Sequence, residues 1–493
     1  MDKIKKINIY KIIEFILILL SMTFIIYPPW EVRSLGEVTF VQLIFNIFTN
    51  ATKGNLDILW QYFRETFIFY VLLGLLIALI LYIVEKRFEK IKWARAVTVG
   101  AIFLASFTYG LYGIGFFDYI FSSFKTTSIY DEEYVAPNEV KLTFPEKKRN
   151  LIYIVLESMD RNVNEYSLEN GKTVNLIPNL TKLENDNVYF YNKEKSIGMN
   201  SVTNTTWTAS SLVGQVTGVP LSDIYEPNQA MQKGNFLPGI TSLGEILEDQ
   251  GYKNYFIMGS DASFGARDVF FEDHGNYEIH DLKYQKEIGK LPEDYMVFWG
   301  YEDSKLFEFA KEELSEISKK NEAFNYTMLT VNTHFMDGYV NEENPKKYGG
   351  YKDAYYYSDK EIYEFIEWVK NQDFYENTTI VIVGDHISMN PQFIENQHKS
   401  GDLYNVFINS AVKPVNTSKE SIILDVFPST LASLGVKIEG DRLGLGTNLF
   451  SDKESIIVEY GIDKLNEELK KKSPYYEKIF IEKEKEWKNF TLF

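Results

Sequence analysis

Residues 378–386 read TTIVIVGDH, a run of β-branched residues that ends in an acid and a histidine. A short run that is apolar at nearly every position is typical of a strand buried on both faces of a sheet. Four other runs of this kind occupy residues 150–157, 252–258, 325–331 and 405–408. Segments with helical periodicity lie between the strands, at residues 240–250, 304–320 and 355–371. This alternation predicts an α/β domain with a mostly parallel sheet and helices on both faces.

Polar side chains come directly after several of these strands. The run at 150–157 ends in Glu157, and the run at 325–331 is followed by His334. The run at 378–386 ends in Asp385 and His386. In a parallel sheet the carboxyl ends of the strands meet at one edge, where ligands bind. A carboxylate in so apolar a setting needs a cation, and carboxylate, imidazole and hydroxyl donors suit Mn²⁺, Zn²⁺ or Mg²⁺. The sequence therefore predicts a divalent-metal site, although a turn and helix cap would also explain Asp385 and His386.

Residues 201–220 read SVTNTTWTASSLVGQVTGVP, in which small hydroxyl residues lead into an apolar helix. A hydroxyl in the first turn of a helix meets free backbone N–H groups and the positive end of the helix dipole. That environment suits a nucleophile that attacks a phosphate. The alternative is that these Ser and Thr residues only cap the helix.

Two further residues are candidates for contacts with a phosphate. Arg267 has a planar guanidinium that suits bidentate phosphate recognition, with a surface ion pair to Asp268 or Glu272 as the alternative. His334 is a candidate donor to a phosphate oxygen or a leaving group. The remaining histidines fall in irregular segments and are expected to be surface or accessory residues; they are His274, His280 and His398.

Composition excludes several classes of function. The 493 residues have a net charge of −18, which argues against nucleic acid as a partner. The first 125 residues are slightly basic, so the negative charge is concentrated in the rest of the chain. The absence of cysteine rules out disulfides, thiolate metal sites and a cysteine nucleophile.

The N-terminal part of the chain contains three long apolar runs, at residues 12–27, 66–84 and 96–121. Each has about the ~20 residues that cross a bilayer. Residues 38–48 are too few to span and predict an amphipathic helix in the interface. Basic residues cluster before the first run and between the second and third, and such clusters stay in the cytoplasm. The pattern predicts a multi-pass plasma-membrane protein whose catalytic domain is extracytoplasmic.

These features divide the chain into four regions. We expect a transmembrane region with about three helices at residues 1–121 and a polar linker at 122–149. The catalytic domain is expected at 150–450, and a C-terminal helical extension at 451–493.

The order of motifs resembles the alkaline-phosphatase/sulfatase superfamily, and within it the membrane-anchored phosphoglycerol transferases that include lipoteichoic acid synthase. The resemblance extends over roughly residues 149–450 and rests on the segments LIYIVLESMD, SVTNTTWTASSLVGQVTGVPL, NYFIMGSDASFGARDVFFEDHG, MLTVNTHFMDG and NTTIVIVGDHISMN. It implies that Thr208 is both the nucleophile and a metal ligand. It also implies that His334 lies near the phosphate. The other residues to which the resemblance assigns a role are Glu157, Asp385 and His386 as metal ligands, and Arg267 and Trp299 as head-group contacts.

The resemblance implies an activity as well as a site. It predicts transfer of phosphoglycerol from phosphatidylglycerol to a glycan or teichoic-acid-type acceptor through a phospho-threonine intermediate. Thr206 competes with Thr208 as the nucleophile, and Phe335 stands where the glucan-modifying relatives have a second histidine. The alternatives are a hydrolase of the same superfamily and a catalytically inactive relative that binds wall polymer. The chain has neither the formylglycine motif of classical sulfatases nor a second acid and histidine cluster. One divalent metal is therefore favoured, and we expect Mn²⁺ ahead of Mg²⁺ or Zn²⁺.

Overall fold

The structure is a computed structural model, and it describes residues 9–35, 38, 40–49, 53–88, 91, 93–195, 197–222, 233–320, 322–335, 337–395 and 402–482. The chain forms two compact units. The first comprises Met1–Ile44 with Ala51–Phe121, and the second comprises Phe45–Asn50 with Ser122–Phe493. The four region boundaries expected from the sequence stay predictions. His398 lies outside the described residues.

The described residues of the N-terminal part form five helices. They are α1 (Ile9–Leu35), α2 (Phe40–Thr49), α3 (Lys53–Arg87), α4 (Ala94–Gly113) and α5 (Phe116–Ser123). Among the described residues, three stretches are long and apolar enough to cross a membrane: Ile9–Ser34, Trp60–Arg87 and Ala94–Gly113.

The third apolar run is shorter as a helix than the sequence predicts. Helix α4 ends at Gly113 and α5 begins at Phe116, because Gly115 between them adopts a left-handed conformation with φ of 72°. Glu14, the acid within the first apolar run, pairs with Arg95 at 2.5 Å. The ion pair offsets the cost of a charge in an apolar segment.

The second unit is built on a six-stranded sheet. Its strands are β1 (Asn150–Leu156), β2 (Lys253–Met258), β3 (Glu278–His280), β4 (Phe324–Leu329), β5 (Thr378–Gly384) and β6 (Asn405–Ile408). They lie in the order β6-β5-β1-β4-β2-β3, and every pair is parallel except β6 with β5. The predicted α/β class with a mostly parallel sheet is confirmed. Strand β3 was not predicted, because three residues that include Glu and His show no strand pattern.

Both faces of the sheet are buried, as the uninterrupted apolar runs predict. Alternate residues of β1 point to opposite sides: Tyr153 and Val155 join one hydrophobic cluster, and Ile152 and Ile154 join the other. The helices that cover the two faces and the edges are α6 (Ile129–Glu133), α7 (Pro178–Asp186), α8 (Thr208–Thr217), α9 (Leu243–Asp249), α10 (Arg267–Asp273), α11 (Leu282–Glu287), α12 (Asp303–Ile317), α13 (Tyr351–Lys370), α14 (Pro391–Ile394) and α15 (Val426–Ser433).

The second unit also contains small sheets of two or three short strands. They are Leu142–Thr143 with Lys437–Ile438, Tyr166–Ser167 with Thr173–Val174, Met199–Asn200 with Asp402–Leu403 and Ser421–Ile422, and Arg442–Leu443 with Gly446–Thr447.

Residues that flank the expected catalytic region pack on the same core. In the expected linker, Ile129 and Tyr130 are buried, and Arg442 pairs with Glu133 at 2.7 Å. After residue 450 the chain forms α16 (Ile456–Tyr460), α17 (Ile462–Leu469) and a π-helical turn (Tyr476–Ile481). Leu465 and Phe480 from these helices are fully buried in the core.

Candidate active site

The sheet register brings the two acids of the site together. Strands β1 and β5 are parallel neighbours, with Leu156 opposite Gly384. Glu157 and Asp385 are the next residues on each strand, so they leave the sheet at the same level. Their side chains and that of His386 are buried, and one ligand atom from each lies within 4.8 Å of the others.

Thr208 completes the cluster from a different element. It is the first residue of α8, where backbone N–H groups are free of intrahelical partners. Its hydroxyl donates to Glu157 Oε2 at 3.2 Å and lies 3.4 Å from His386 Nε2. Thr206 is exposed. The geometry therefore brings Thr208, rather than its competitor, to the acids.

The electrostatics of this cluster fit a cation. Burial, together with the negative charge of Glu157, raises the pKa of Asp385 to about 7. Asp385 Oδ1 accepts two backbone N–H groups, from Ser158 and His386, each at 2.7 Å. Its other oxygen, Oδ2, is buried without a hydrogen-bond partner among the described residues. A buried carboxylate oxygen left in this state needs a positive partner, so the donor set fits a divalent metal.

The pKa values of Glu157 and His386, the two neighbours of Asp385, shift in opposite directions. Burial acts to raise the pKa of Glu157, but His334 and His386 outweigh it and hold that pKa below its usual value. Burial acts to lower the pKa of His386, but the charges of Asp385 and Glu157 raise it overall. Each shift reflects opposite charges that stabilise one another in the absence of water.

The ring of His386 is oriented by the backbone. Its Nδ1 lies 2.7 Å from the carbonyl of Ile387, so Nδ1 holds the proton and donates to that oxygen. Nε2 then faces Glu157 Oε1 and Asp385 Oδ2, both at 3.4 Å. A histidine held in this tautomer presents its free nitrogen lone pair to a metal.

Ser158 is a site residue that the sequence reasoning missed. It has φ of 51°, a left-handed conformation that costs a non-glycine residue energy. In this conformation its N–H donates to Asp385 Oδ1 and its hydroxyl donates to Glu157 Oε1, both at 2.7 Å. Tyr355 donates to the Ser158 carbonyl at 2.5 Å. Ser158 thus orients both acids, and its position beside Glu157 was the only signal in the sequence.

We expect Ser158→Ala to weaken metal affinity by about 10- to 100-fold, the usual cost of losing a partner of a metal ligand. Titration of metal into the full chain, followed by calorimetry, measures this directly. Ser158→Gly also lacks the hydroxyl but accepts positive φ without strain, so it should be more stable than Ser158→Ala by about 1 kcal/mol. Wild-type affinity in both variants would show that the hydroxyl does not hold Glu157.

A buried network fixes α8 against the end of β5. The Ser211 hydroxyl donates to the carbonyl of Asp385 at 2.6 Å. Gln215 donates to the Ser211 hydroxyl at 3.0 Å and accepts from the hydroxyl of Tyr153 at 2.6 Å. All four residues are buried. The start of α8 therefore keeps a defined distance from the acids.

Arg267 is buried, so the expected alternative of a surface ion pair is wrong. Its guanidinium donates to the carbonyls of Phe264 and Asp261 at 2.8 Å and to the Ser260 hydroxyl at 3.1 Å. Burial lowers its pKa to about 10, against the attraction of Glu157, so it remains a cation at neutral pH. The turn before it packs on α8, because a Cβ at Gly265 would lie 3.0 Å from Ala209.

His334 follows β4 in the chain and is packed among aromatic side chains. Its Nδ1 is 2.7 Å from the carbonyl of Phe335, which leaves Nε2 as the free nitrogen. The ring of Trp299 is 4.6 Å from that of His334, and Phe335 stacks on it at 4.8 Å. Burial lowers the pKa of His334, against the attraction of Glu157. The structure thus brings together His334 and Trp299, two of the three residues for which the resemblance implied phosphate or head-group contacts.

Two other histidines are buried, so the expectation that they lie at the surface is wrong, and an accessory role stays a prediction. His274 lies between Glu245, at 3.0 Å, and the carbonyl of Phe236, at 2.6 Å. His280 lies in β3 with its Nδ1 2.8 Å from Glu313. Each is paired with a carboxylate that local sequence could not reveal, because the partner is about 30 residues away in the chain.

The chain is similar in sequence to curated phosphoglycerol transferases. Phosphoglycerol transferase I of Escherichia coli (strain 55989 / EAEC) is 30% identical over 259 residues, which cover 51% of this chain and 32% of that protein. The chain thus matches about a third of the length of this curated relative.

Two solved structures are among those to which the chain is similar. The lipoteichoic acid synthase LtaP from Listeria monocytogenes is 22% identical, with a TM-score of 0.49 over 66% of this chain and 80% of that one. The Streptococcus pyogenes phosphoglycerol transferase GacH, in complex with sn-glycerol-1-phosphate, is 14% identical, with a TM-score of 0.42 over 68% of this chain and 87% of that one.

The family comparison covers the sheet and the site together. The profile described as Sulfatase matches residues 149–434, from the residue before β1 to the residue after α15. This range includes the strand ends that bear Glu157 and Asp385 and the helix that begins at Thr208. Because the match extends over more than half of its residues, the chain belongs to the sulfatase family.

Proposed function

We propose that this chain is a metal-dependent transferase that moves phosphoglycerol from phosphatidylglycerol to an extracytoplasmic glycan or teichoic-acid-type acceptor. The observation that carries the proposal is the Thr208 hydroxyl, held at a helix start beside two buried acids and a histidine. The sequence match to phosphoglycerol transferase I supports the transferred group. The three apolar helices support a donor that resides in a membrane.

Glu157, Asp385, His386 and Thr208 are the residues that would hold the metal, and Mn²⁺ is the ion we expect. When bound, a divalent ion supplies positive charge that neutralises the carboxylates and stabilises charge on the phosphate oxygens. The unpartnered Oδ2 of Asp385 and the Nε2 of His386, whose ring proton is on Nδ1, are two of the candidate donor atoms.

In the first step Thr208 Oγ1 attacks the phosphorus of the lipid head group. Its proton passes to Glu157 Oε2, the acceptor of its hydrogen bond. The bond from phosphorus to Thr208 forms as the bond from phosphorus to the diacylglycerol oxygen breaks. His334, which takes up a proton at Nε2 against the effect of burial on its pKa, donates that proton to the departing oxygen, so diacylglycerol leaves as a neutral alcohol.

The second step reverses these roles. A hydroxyl of the acceptor attacks the phosphoglyceryl-threonine and loses its proton to His334 Nε2. Glu157 returns the first proton to Thr208 Oγ1 as the bond from that oxygen to phosphorus breaks. Arg267, a buried cation, and Trp299, beside His334, contact the phosphoglycerol group throughout.

The test is an assay of the full chain in vesicles that contain phosphatidylglycerol labelled in its terminal glycerol. We expect release of diacylglycerol and, with acceptor present, label in the acceptor. Label released only as free glycerol phosphate would favour the hydrolase, and no turnover with any acceptor would favour the inactive relative.

We also expect the catalytic domain to face outward. A reporter that works only outside the cytoplasm should be active when it is fused near residue 140 and inactive when it is fused near residue 90. A reporter that works only in the cytoplasm should show the reverse. The basic residues at 86–95 are the physical reason, because they resist translocation. The opposite pattern of reporter activity would contradict both the orientation and access to an outer acceptor.

A further inference from the structure

A loop between α11 and α12 exposes large apolar side chains beside the candidate site. Residues 295–299 read YMVFW, and we call this segment the apolar loop. The exposed fractions of Met296 and Val297 are 49% and 36%. Connecting segments are ordinarily polar, so a run of this kind at the surface points to an interaction.

Hydrogen bonds and a close backbone contact at the base of the apolar loop fix its conformation. The N–H of Val297 donates to the carbonyl of Gly300 at 2.8 Å, and the hydroxyl of Tyr295 donates to Glu302 at 2.8 Å. Gly300 touches the backbone of Gly259 so closely that a Cβ there would lie 1.9 Å from the Gly259 carbonyl oxygen. The exposure of the tip is therefore a feature of the fold.

The loop is continuous with the site. At its inner end Trp299 contacts His334, with ring centroids 4.6 Å apart, and Phe298 stacks on Tyr339 at 6.2 Å. At its outer end Met296 and Val297 face solvent. An apolar surface thus leads outward from the group that would protonate the leaving diacylglycerol.

We infer that the exposed tip of the apolar loop, Met296 and Val297, docks on the hydrocarbon surface of the lipid bilayer that presents the donor. A bilayer is available to this domain, because the described part of the same chain includes three helices apolar enough to cross one. The inference rests on the proposed function, since it names the protein surface that contacts the bilayer in which the lipid donor resides. Transfer of the two side chains from water into hydrocarbon supplies the attraction.

The first experiment compares two donors on the full chain in nanodiscs. One donor is long-chain phosphatidylglycerol in the bilayer, and the other is a water-soluble p-nitrophenyl ester of glycerol phosphate added to phosphatidylcholine nanodiscs. We expect Met296→Ser with Val297→Ser to lower the rate on the bilayer donor about tenfold or more and to leave the rate on the soluble ester unchanged.

The matched control replaces two exposed valines that follow β6, whose carboxyl end lies at the opposite edge of the sheet. Val412 and Val415 are 38% and 71% exposed, and Val412→Ser with Val415→Ser should affect neither rate. Equal losses on both donors, or no loss on either, would overturn the docking surface.

The second experiment does not depend on activity. The chain has no cysteine, so Val297→Cys and Val412→Cys each provide a unique position for a fluorophore at nearly equal exposure. Nitroxide-labelled acyl chains should quench the probe at 297 and not at 412. Unquenched fluorescence at 297 rejects the inference. If wild type uses neither donor, the proposed function fails, and quenching at 297 still supports the docking surface.

Discussion

Thr208→Ala should abolish transfer of phosphoglycerol, with a loss of at least about 10⁴-fold, because it removes the attacking oxygen. The variant should still fold, since the Ser211 and Gln215 hydrogen bonds that fix α8 remain. Its affinity for metal should fall too, because the hydroxyl is also a candidate ligand. Mass spectrometry of wild-type enzyme trapped with phosphatidylglycerol and no acceptor should find the adduct on Thr208.

Thr206→Ala is the matched control. It removes the same side-chain atoms at an exposed position two residues before Thr208. Its cost should be at most a capping effect of about 1 kcal/mol, with transfer retained. An adduct on Thr206, or full activity of Thr208→Ala, would show that the nucleophile is misassigned.

Removal of divalent metal should stop transfer completely, and Mn²⁺ should restore it. Metal should also raise the temperature of thermal unfolding, because it binds the folded state and relieves two buried acids. At a metal concentration 100 times the dissociation constant, the gain is about 2.7 kcal/mol. Calorimetry of the chelated and reloaded full chain measures this gain.

Asp385→Asn should lose both the activity and the thermal response to metal, since the amide keeps the size of the side chain without its charge. Asp425→Asn provides the control. Asp425 is equally buried and accepts backbone N–H groups from Ile422 and Thr447, but it lies outside the metal cluster. Wild-type stabilisation by Mn²⁺ in Asp385→Asn would contradict the assigned site.

Much of the fold could be predicted because its signals are local. Uninterrupted β-branched runs predicted five strands of the sheet, and their observed ends differ from the expected ones by at most two residues. The same runs placed Glu157 and Asp385 one residue beyond two strands. Of the six strands of this sheet only β3 was not predicted. It is short and polar, and it forms a strand because it pairs with β2.

The sequence by itself determined the fold class, the apolar helices and the chemical types of residue at the strand ends, because apolar periodicity and strand length are properties of consecutive residues. The tertiary structure decided which of them meet. The register of Leu156 with Gly384 sets the two acids side by side, and the network through Ser211 brings Thr208 to them. It also decided that Arg267 is buried and that Ser158 links both acids, since burial depends on the packing of the whole domain and Asp385 lies 227 residues from Ser158 in the chain.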